Sequence, residues 1–154
     1  MPTPSRPEYL TVEAGVTDLI IGTKACWCVN LEVLYNEEHR GTDVLVPGTA
    51  GVVANPRRLT VVRHILQLVI DGHYNSDGAL QADAHAQART NIAEIKAATA
   101  PVSTGDGTRL VTWTRPSDAV TASCHVGPLR MGERVSDSVL RATLDVSVPA
   151  GAFA

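Results

Sequence analysis

The residues best suited to bind a metal in this sequence are three cysteines and one histidine. Cys26 and Cys28 are two positions apart, and His125 directly follows Cys124. Thiolate and imidazole are common zinc ligands, but structural zinc sites usually separate paired cysteines by two residues in a tight loop. On a strand, Cys124 and His125 would point to opposite faces. We therefore interpret the cysteines as buried apolar side chains and expect no metal, with a metal-dependent enzyme as the alternative.

Three further patterns partly resemble binding or catalytic motifs. Residues 71–78 (DGHYNSDG) are rich in oxygen ligands, but Ala82 stands at the twelfth position, where a calcium loop requires glutamate. The glycine-rich segments 48–51 and 105–108 are not followed by the Lys-Ser/Thr pair and helix of a phosphate loop. No serine lies in a Gly-x-Ser-x-Gly motif. We predict a polar turn at 71–78, no cofactor, no catalytic residue and no enzymatic activity.

The composition favours a single β-rich globular domain. The chain has 154 residues, of which 44% are hydrophobic, 19% charged and 4% aromatic, so its core must be largely aliphatic. The net charge of −3 argues against a nucleic-acid binder that relies on phosphate contacts. The scarcity of aromatic residues argues against a carbohydrate-binding domain. Three cysteines are too few for a disulfide framework and are typical of a reducing compartment.

The ends of the domain and its solubility are also predicted from the pattern. No apolar run approaches the roughly 20 residues that cross a bilayer, so we expect a soluble protein without a membrane partner. Residues 1–7 contain three prolines and are predicted to form an extended arm and not a signal peptide. A single β-rich domain is expected over residues 8–154.

Local periodicity predicts many strands and one helix, without the βαβ alternation of a parallel sheet. The expected fold is mainly β (α+β), a two-sheet β-sandwich or open barrel with one flanking α-helix at about 80–99. A polar loop is expected at 36–42. The predicted strands are 8–13, 17–21, 25–35, 43–48, 51–54, 58–70, 108–114, 120–126, 129–133 and 140–148.

The predicted helix has a narrow apolar stripe, and its other faces are expected to stay in water. Alanines at the start of the stripe would let the helix approach a sheet closely, and Asn91 is among the polar residues assigned to solvent. The stripe consists of Ala84, Ala88, Ile92, Ile95 and Thr99.

The predicted strand at 58–70 carries apolar residues on both faces, so each face must be covered by a second layer or by another subunit. One face holds Val62, Leu66, Leu68 and Ile70. The other face is the candidate subunit interface, and it holds Leu59, Val61, Arg63, Ile65 and Val69.

Several segments, taken together, carry a family resemblance. They are RGTDVLVPG at 40–48 with Gly-Val-Val at 51–53, Pro-Arg-Arg at 56–58, LVIDG at 68–72, GDGT at 105–108 and LRATLDVSVP at 140–149. Over residues 8–150 the sequence resembles the small minor tail proteins of long-tailed phages that infect actinobacteria. These motifs are structural and not catalytic.

The resemblance implies the fold of tail-tube and distal-tail proteins, in which two packed sheets and one helix form a subunit. Such subunits close into rings, commonly hexamers, around a channel for DNA and the tape-measure protein. The implied role is a distal-tail ring, with a main tail-tube subunit or a tail terminator as alternatives. The implied location is the virion tail, after synthesis in the host cytoplasm. The implied partners are further copies of the chain, the tail tube, the tape-measure protein and the baseplate or tip proteins, and DNA would pass through without specific binding.

An acidic lumen would repel phosphates and let DNA slide. The candidates for it are Glu32, Glu37, Glu38 and Asp43. A solvated outer loop explains the same residues equally well.

Overall fold

The structure is a computed structural model that describes residues 2–15, 17–40, 44–45, 52–53 and 58–154. A 3₁₀ helix spans Leu31–Tyr35, and the α-helix α1 spans Ala84–Ala98. The strands are β1 (Tyr9–Val12), β2 (Leu19–Ile21), β3 (Cys26–Cys28), β4 (His39–Arg40), β5 (Val44–Leu45), β6 (Val52–Val53), β7 (Arg58–Leu59), β8 (Val62–Asp71), β9 (Arg109–Thr114), β10 (Ala119–Arg134) and β11 (Val139–Val148).

Seven strands form one antiparallel sheet in the order β2-β1-β9-β10-β11-β8-β3. The long strand β10 pairs with β9 through its first part and with β11 through its second. The outermost strands β2 and β3 are joined by a tight turn, in which the N–H groups of Gly22 and Thr23 donate to the Cys26 carbonyl. The sheet therefore curls into a nearly closed barrel, which confirms a mainly β fold with one flanking helix.

The two remaining strand pairs are nested within the segment that leads to β8. β4 pairs with β7, and β5 pairs with β6, both antiparallel. The predicted strands at 43–48 and 51–54 are thus strands at 44–45 and 52–53, and their other residues lie outside the described part of the chain.

The core fills the barrel with largely aliphatic side chains, as the composition predicts, and β3 contributes Cys26 to it. Its largest member is Trp113, whose indole Nε1–H donates to Glu8 Oε1 at 2.8 Å. The ring packs edge-to-face against Tyr35 and Phe153. A buried indole N–H normally needs an acceptor, so Glu8 ties the start of β1 to the core.

Helix α1 begins after Asp83, later than the predicted start at about residue 80, and lies closely against the end of β8. The Asp83 carboxylate accepts from the Ala86 N–H at 3.1 Å, which satisfies one of the free amides of the first turn. Asn91 was predicted to face water, and this is wrong. It is buried, and its Nδ2 donates to the carbonyl oxygens of Asp71 and Tyr74, both at 3.0 Å. No helix among the described residues is long and apolar enough to span a membrane.

The prediction of one strand over residues 25–35 is also wrong. The strand β3 ends at Cys28, and a 3₁₀ helix follows Asn30. Leu31 and Leu34 are three residues apart, which is one turn of a 3₁₀ helix, so both can pack towards the core. A period of three, and not of two, governs this segment.

Two further boundaries differ from prediction. The strand at 58–70 is interrupted at residues 60–61, so β7 and β8 are separate. Conversely, the strands predicted at 120–126 and 129–133 form one strand, β10, whose register with β11 shifts between Val126 and Leu129. A bulge therefore lies where the sequence favours a break.

The N-terminal residues run along the outside of the barrel without regular secondary structure. The Thr3 N–H donates to the Ser76 carbonyl at 3.0 Å, and the Ser5 N–H donates to the Gly22 carbonyl at 2.9 Å. The Arg6 guanidinium lies over the Trp27 ring, 4.9 Å from its centroid. The division into an arm at 1–7 and a domain at 8–154 remains a prediction.

Candidate interaction surface

The strand β8 separates two environments by strict alternation. Every second residue from Val62 to Ile70 is buried, and the residues between them point outwards. Because β8 lies between β11 and β3 in the sheet, its inner side chains fill the barrel. Its outer side chains form part of the outer face of the sheet, which α1 leaves uncovered at Arg63 and Ile65.

Of the predicted interface residues, Arg63, Ile65 and Val69 lie on this outer side, whereas Leu59 and Val61 precede β8 in the chain. Leu59, Val61 and Ile65 are 45%, 54% and 48% exposed, which is high for large apolar side chains. Arg63 lies between them and is also exposed. Val69 differs, because it is half-buried and its partner across the sheet is Trp27. Four of the five residues are thus exposed, two of them on β8, and their burial by another subunit remains a prediction.

A buried carboxylate beside Arg63 was missed in the sequence. Asp145 on β11 is only 6% exposed although it belongs to the outer face. Its Oδ2 accepts from Arg63 Nη2 at 2.6 Å and from Arg130 Nη1 at 3.2 Å. Its Oδ1 is buried and has no hydrogen-bond partner among the described residues. The alternating pattern of β11 places Asp145 on the polar face, but the contact with Arg63 depends on the pairing of β11 with β8.

β8 extends beyond the end of β3, and one side chain forms hydrogen bonds with its backbone there. The Asn30 Nδ2 donates to the Ile65 carbonyl at 3.1 Å, and its Oδ1 accepts from the Gln67 N–H at 2.8 Å. An amide side chain thereby makes the pair of bonds that another strand residue would make. The Ile65 carbonyl and the Gln67 N–H, which lie on the edge of β8 beyond β3, are therefore both hydrogen-bonded.

The predicted acidic residues lie on and just after the 3₁₀ helix. Glu32, Glu37 and Glu38 are exposed, and Glu37 Oε2 lies 3.4 Å from His39 Nε2. Asp43 lies outside the described residues. Their assignment to a lumen or to an outer loop is untested.

The cysteines are arranged as apolar core residues. Burial raises the pKa of Cys26 to about 12, with a smaller contribution from Cys28, and it raises the pKa of Cys124 to about 12. Cys124 is buried while the adjacent His125 is exposed. Within the described residues, no group of three or more His, Cys, Asp or Glu side chains is placed to hold a metal ion.

The segment 71–78 uses its oxygen atoms for internal turns. Asp71 Oδ1 accepts from the His73 N–H at 2.9 Å and lies 2.6 Å from His73 Nδ1. Asn75 Oδ1 accepts from the N–H groups of Asp77 and Ala79. Oxygens engaged in this way favour a polar turn over a cation loop.

Comparison with known proteins identifies the fold class. No protein-family model matches the sequence, and no curated protein matches it significantly. Solved structures of phage hub and baseplate proteins share its fold.

Two of these structures cover nearly the whole chain. One is the Dit (gp 19.1) protein of SPP1, described as a paradigm of the hub adsorption apparatus in phages that infect Gram-positive bacteria. Its TM-score is 0.60 at 14% identity, over 95% of this chain and 51% of that chain. The other is a chain of the phage P2 baseplate in its activated conformation with Ca, with a TM-score of 0.61 at 8% identity, over 92% of this chain and 44% of that chain. This chain spans about half of each matched chain, and at these identities the likeness establishes the shared fold.

Proposed function

We propose that this protein is a structural component of a phage tail, a distal-tail subunit that assembles with copies of itself into a ring near the tail tip. The observation that carries the proposal is the fold match to hub and baseplate chains over 95% and 92% of this chain. The actinobacterial host rests on the sequence resemblance. Since this chain corresponds to about half of each matched chain, the proposal concerns the part that carries this fold.

The outer face of the sheet supports self-assembly. Three large apolar side chains that are close in sequence, Leu59, Val61 and Ile65, are about half exposed. Exposed apolar groups that lie side by side are typical of protein interfaces. A ring contact over this face would remove them from water.

The proposed ring is a hexamer around a channel for DNA and the tape-measure protein, with the tail tube and the baseplate or tip proteins as neighbours. Its role is mechanical and not enzymatic. The exposed Glu32, Glu37 and Glu38 are the candidates for a lumen that DNA traverses without specific binding.

Light scattering after size-exclusion chromatography, followed by negative-stain imaging of the same fractions, tests the proposal. We expect a mass near six times the 16.3 kDa of the chain and single rings with a central hole. Long tubes would instead identify a main tail-tube subunit. A monomer at every concentration up to the solubility limit would contradict self-assembly.

A further inference from the structure

The outer face of β8, β11 and β10 carries a charge opposite to that of the whole chain. The strand register places Arg63 opposite Ser147 and Arg130 opposite Thr143, while Arg141 lies opposite Val69. Three arginines therefore stand on this face with two aspartates, Asp71 and Asp145, although the net charge of the chain is −3. We define the basic surface as Arg63, Ile65, Arg130 and Arg141.

Asp145 fixes two of these arginines in place. Its Oδ2 accepts from both Arg63 and Arg130, while their side chains remain 55% and 58% exposed. A guanidinium has five N–H donors, so most donors of each arginine are still free to bind a partner. Because the carboxylate holds the two groups, less side-chain entropy is lost when an acidic partner binds them.

A second surface of the same chain has the complementary character. Residues 25–38 contain three glutamates and no lysine or arginine. The same segment exposes Val29 and Tyr35, which are 55% and 60% accessible. We define the acidic surface as Val29, Glu32, Glu37 and Glu38, and Tyr35 is left out of it because the Arg115 guanidinium lies over its ring, 5.9 Å from the centroid. The acidic surface combines apolar and acidic groups, as the basic surface combines an apolar group with arginines.

The two surfaces do not lie over each other within one chain. The 3₁₀ helix leads from the edge of β8, where Asn30 is bound, to Tyr35, which packs against Trp113 of β9. β11 and β10 lie on the opposite side of β8 from Asn30, so the 3₁₀ helix and the strands that carry Arg130 and Arg141 flank β8 on different sides. A contact between two different surfaces is heterologous, and repeated contacts of this kind close into a ring when the rotation allows.

We propose that the basic surface of one copy binds the acidic surface of a neighbouring copy, and that this head-to-tail contact builds the assembly. The inference rests on the proposed function, since it names the surfaces through which the subunits would join. It places arginine–carboxylate pairs beside packed apolar side chains, an arrangement that favours both affinity and correct pairing.

Charge reversal on each surface separately tests the contact. The basic-reversal variant is Arg63→Glu with Arg130→Glu, and the acidic-reversal variant is Glu32→Lys with Glu37→Lys and Glu38→Lys. Each should weaken assembly at least about tenfold in concentration, since close interfacial charge pairs commonly contribute this much or more. The matched controls are Arg89→Glu on the exposed side of α1 and Glu13→Lys, an exposed residue just after β1, and both should assemble as wild type.

Mixing the two reversed variants provides the decisive measurement. Neither variant can pair with itself, but each presents the surface that the other now needs. An equimolar mixture should therefore regain the wild-type mass in light scattering, with the two variants alternating around a ring of even number. Failure of the mixture to assemble, although both variants are folded, would overturn the inference.

Two further measurements distinguish a folding defect, or a failure of the proposed function, from a failure of the proposed contact. Basic reversal leaves Asp145 without its cations, so Arg141→Glu is made in parallel, because it changes the basic surface and spares that cluster. Circular dichroism and thermal melting report folding of every variant. A wild-type protein that stays monomeric contradicts the proposed function itself, whereas wild-type rings that tolerate both reversals contradict only the contact proposed here.

Discussion

Among the described glycines, Gly72 is the one at which an added methyl group would make the shortest contact, so alanine there should lower stability strongly. A Cβ built on Gly72 would lie 2.0 Å from the Ala84 carbonyl oxygen and 2.7 Å from the Ala88 Cβ and N. These distances are more than half an ångström below normal contact, and the nearest atom belongs to backbone. Alanine at residue 72 would therefore push the start of α1 away from the end of β8.

The helix cannot withdraw without losing other contacts. Asn91 binds the Asp71 and Tyr74 carbonyl oxygens on either side of Gly72, and Ile95 is buried in the core. Overpacking costs about 1–3 kcal/mol, and each weakened hydrogen bond adds about 1 kcal/mol. We expect Gly72→Ala to lower the free energy of unfolding by about 3 kcal/mol, which corresponds to a fall in melting temperature of roughly 6–12 °C.

Urea unfolding followed by circular dichroism measures this change. Gly132→Ala is the matched control, because its Cβ would meet the Arg141 carbonyl oxygen at 3.3 Å, a much smaller overlap. Ala88→Gly added to Gly72→Ala removes the side-chain overlap but leaves the carbonyl of Ala84, so stability should stay low. A loss of less than about 0.5 kcal/mol in Gly72→Ala, the range of ordinary surface substitutions, would refute the close approach described above.

Three further changes test the interior of the barrel. Glu8→Ala leaves the buried Trp113 N–H without its acceptor and should cost about 1–3 kcal/mol in urea unfolding, while Glu8→Gln should retain most of it; equal losses would contradict a hydrogen-bond role. Burial lowers the pKa of His64 from its usual 6.5, so the charged form is disfavoured in the folded state, and stability should fall as pH drops through about 6.5 and below; His64→Leu should remove this dependence, and an unchanged pH profile would count against it. The raised pKa values of Cys26 and Cys124, about 12, predict that neither thiol is alkylated in the native protein near pH 8 and that both react after unfolding, as peptide mass spectrometry would show. Because these thiols ionise more readily in the unfolded chain, stability should also decline as pH rises above about 9; rapid native labelling would contradict their burial.

Periodicity predicted those parts of the fold in which one residue pattern continues over many positions. Residues 140–148 of β11 alternate strictly between apolar and polar side chains, and a period of two over this length is not confused with a helix. The outer position of Arg63, Ile65 and Val69 follows from alternation along β8, which assigns a face without knowledge of the neighbouring strand.

The errors arose where tertiary contacts, and not local pattern, determine the outcome. Asn91 looks like a surface residue of a helix, and only the approach of the Asp71 and Tyr74 carbonyls makes its burial favourable. Residues 31–35 have the composition of a strand, but they form a 3₁₀ helix that directly follows Asn30, whose side chain is hydrogen-bonded to β8.

The cluster of Arg63, Arg130 and Asp145 could not be predicted from the sequence either, because it too depends on tertiary contacts. These residues are joined only because β11 lies between β10 and β8. Strand neighbourhood in a barrel depends on how the whole chain closes, and no short-range signal encodes it.

The central place of β11 also bears on the order in which the chain can fold during synthesis. β8 and β10 do not pair with each other, and β11, which the ribosome makes after both, joins them. Until β11 emerges, the nascent chain can form β2-β1-β9-β10 on one side and β3-β8 on the other, each with an unsatisfied edge. The barrel therefore closes only after residues 139–148 have been synthesised, and an interruption before residue 139 would leave two exposed sheet fragments that are prone to aggregation.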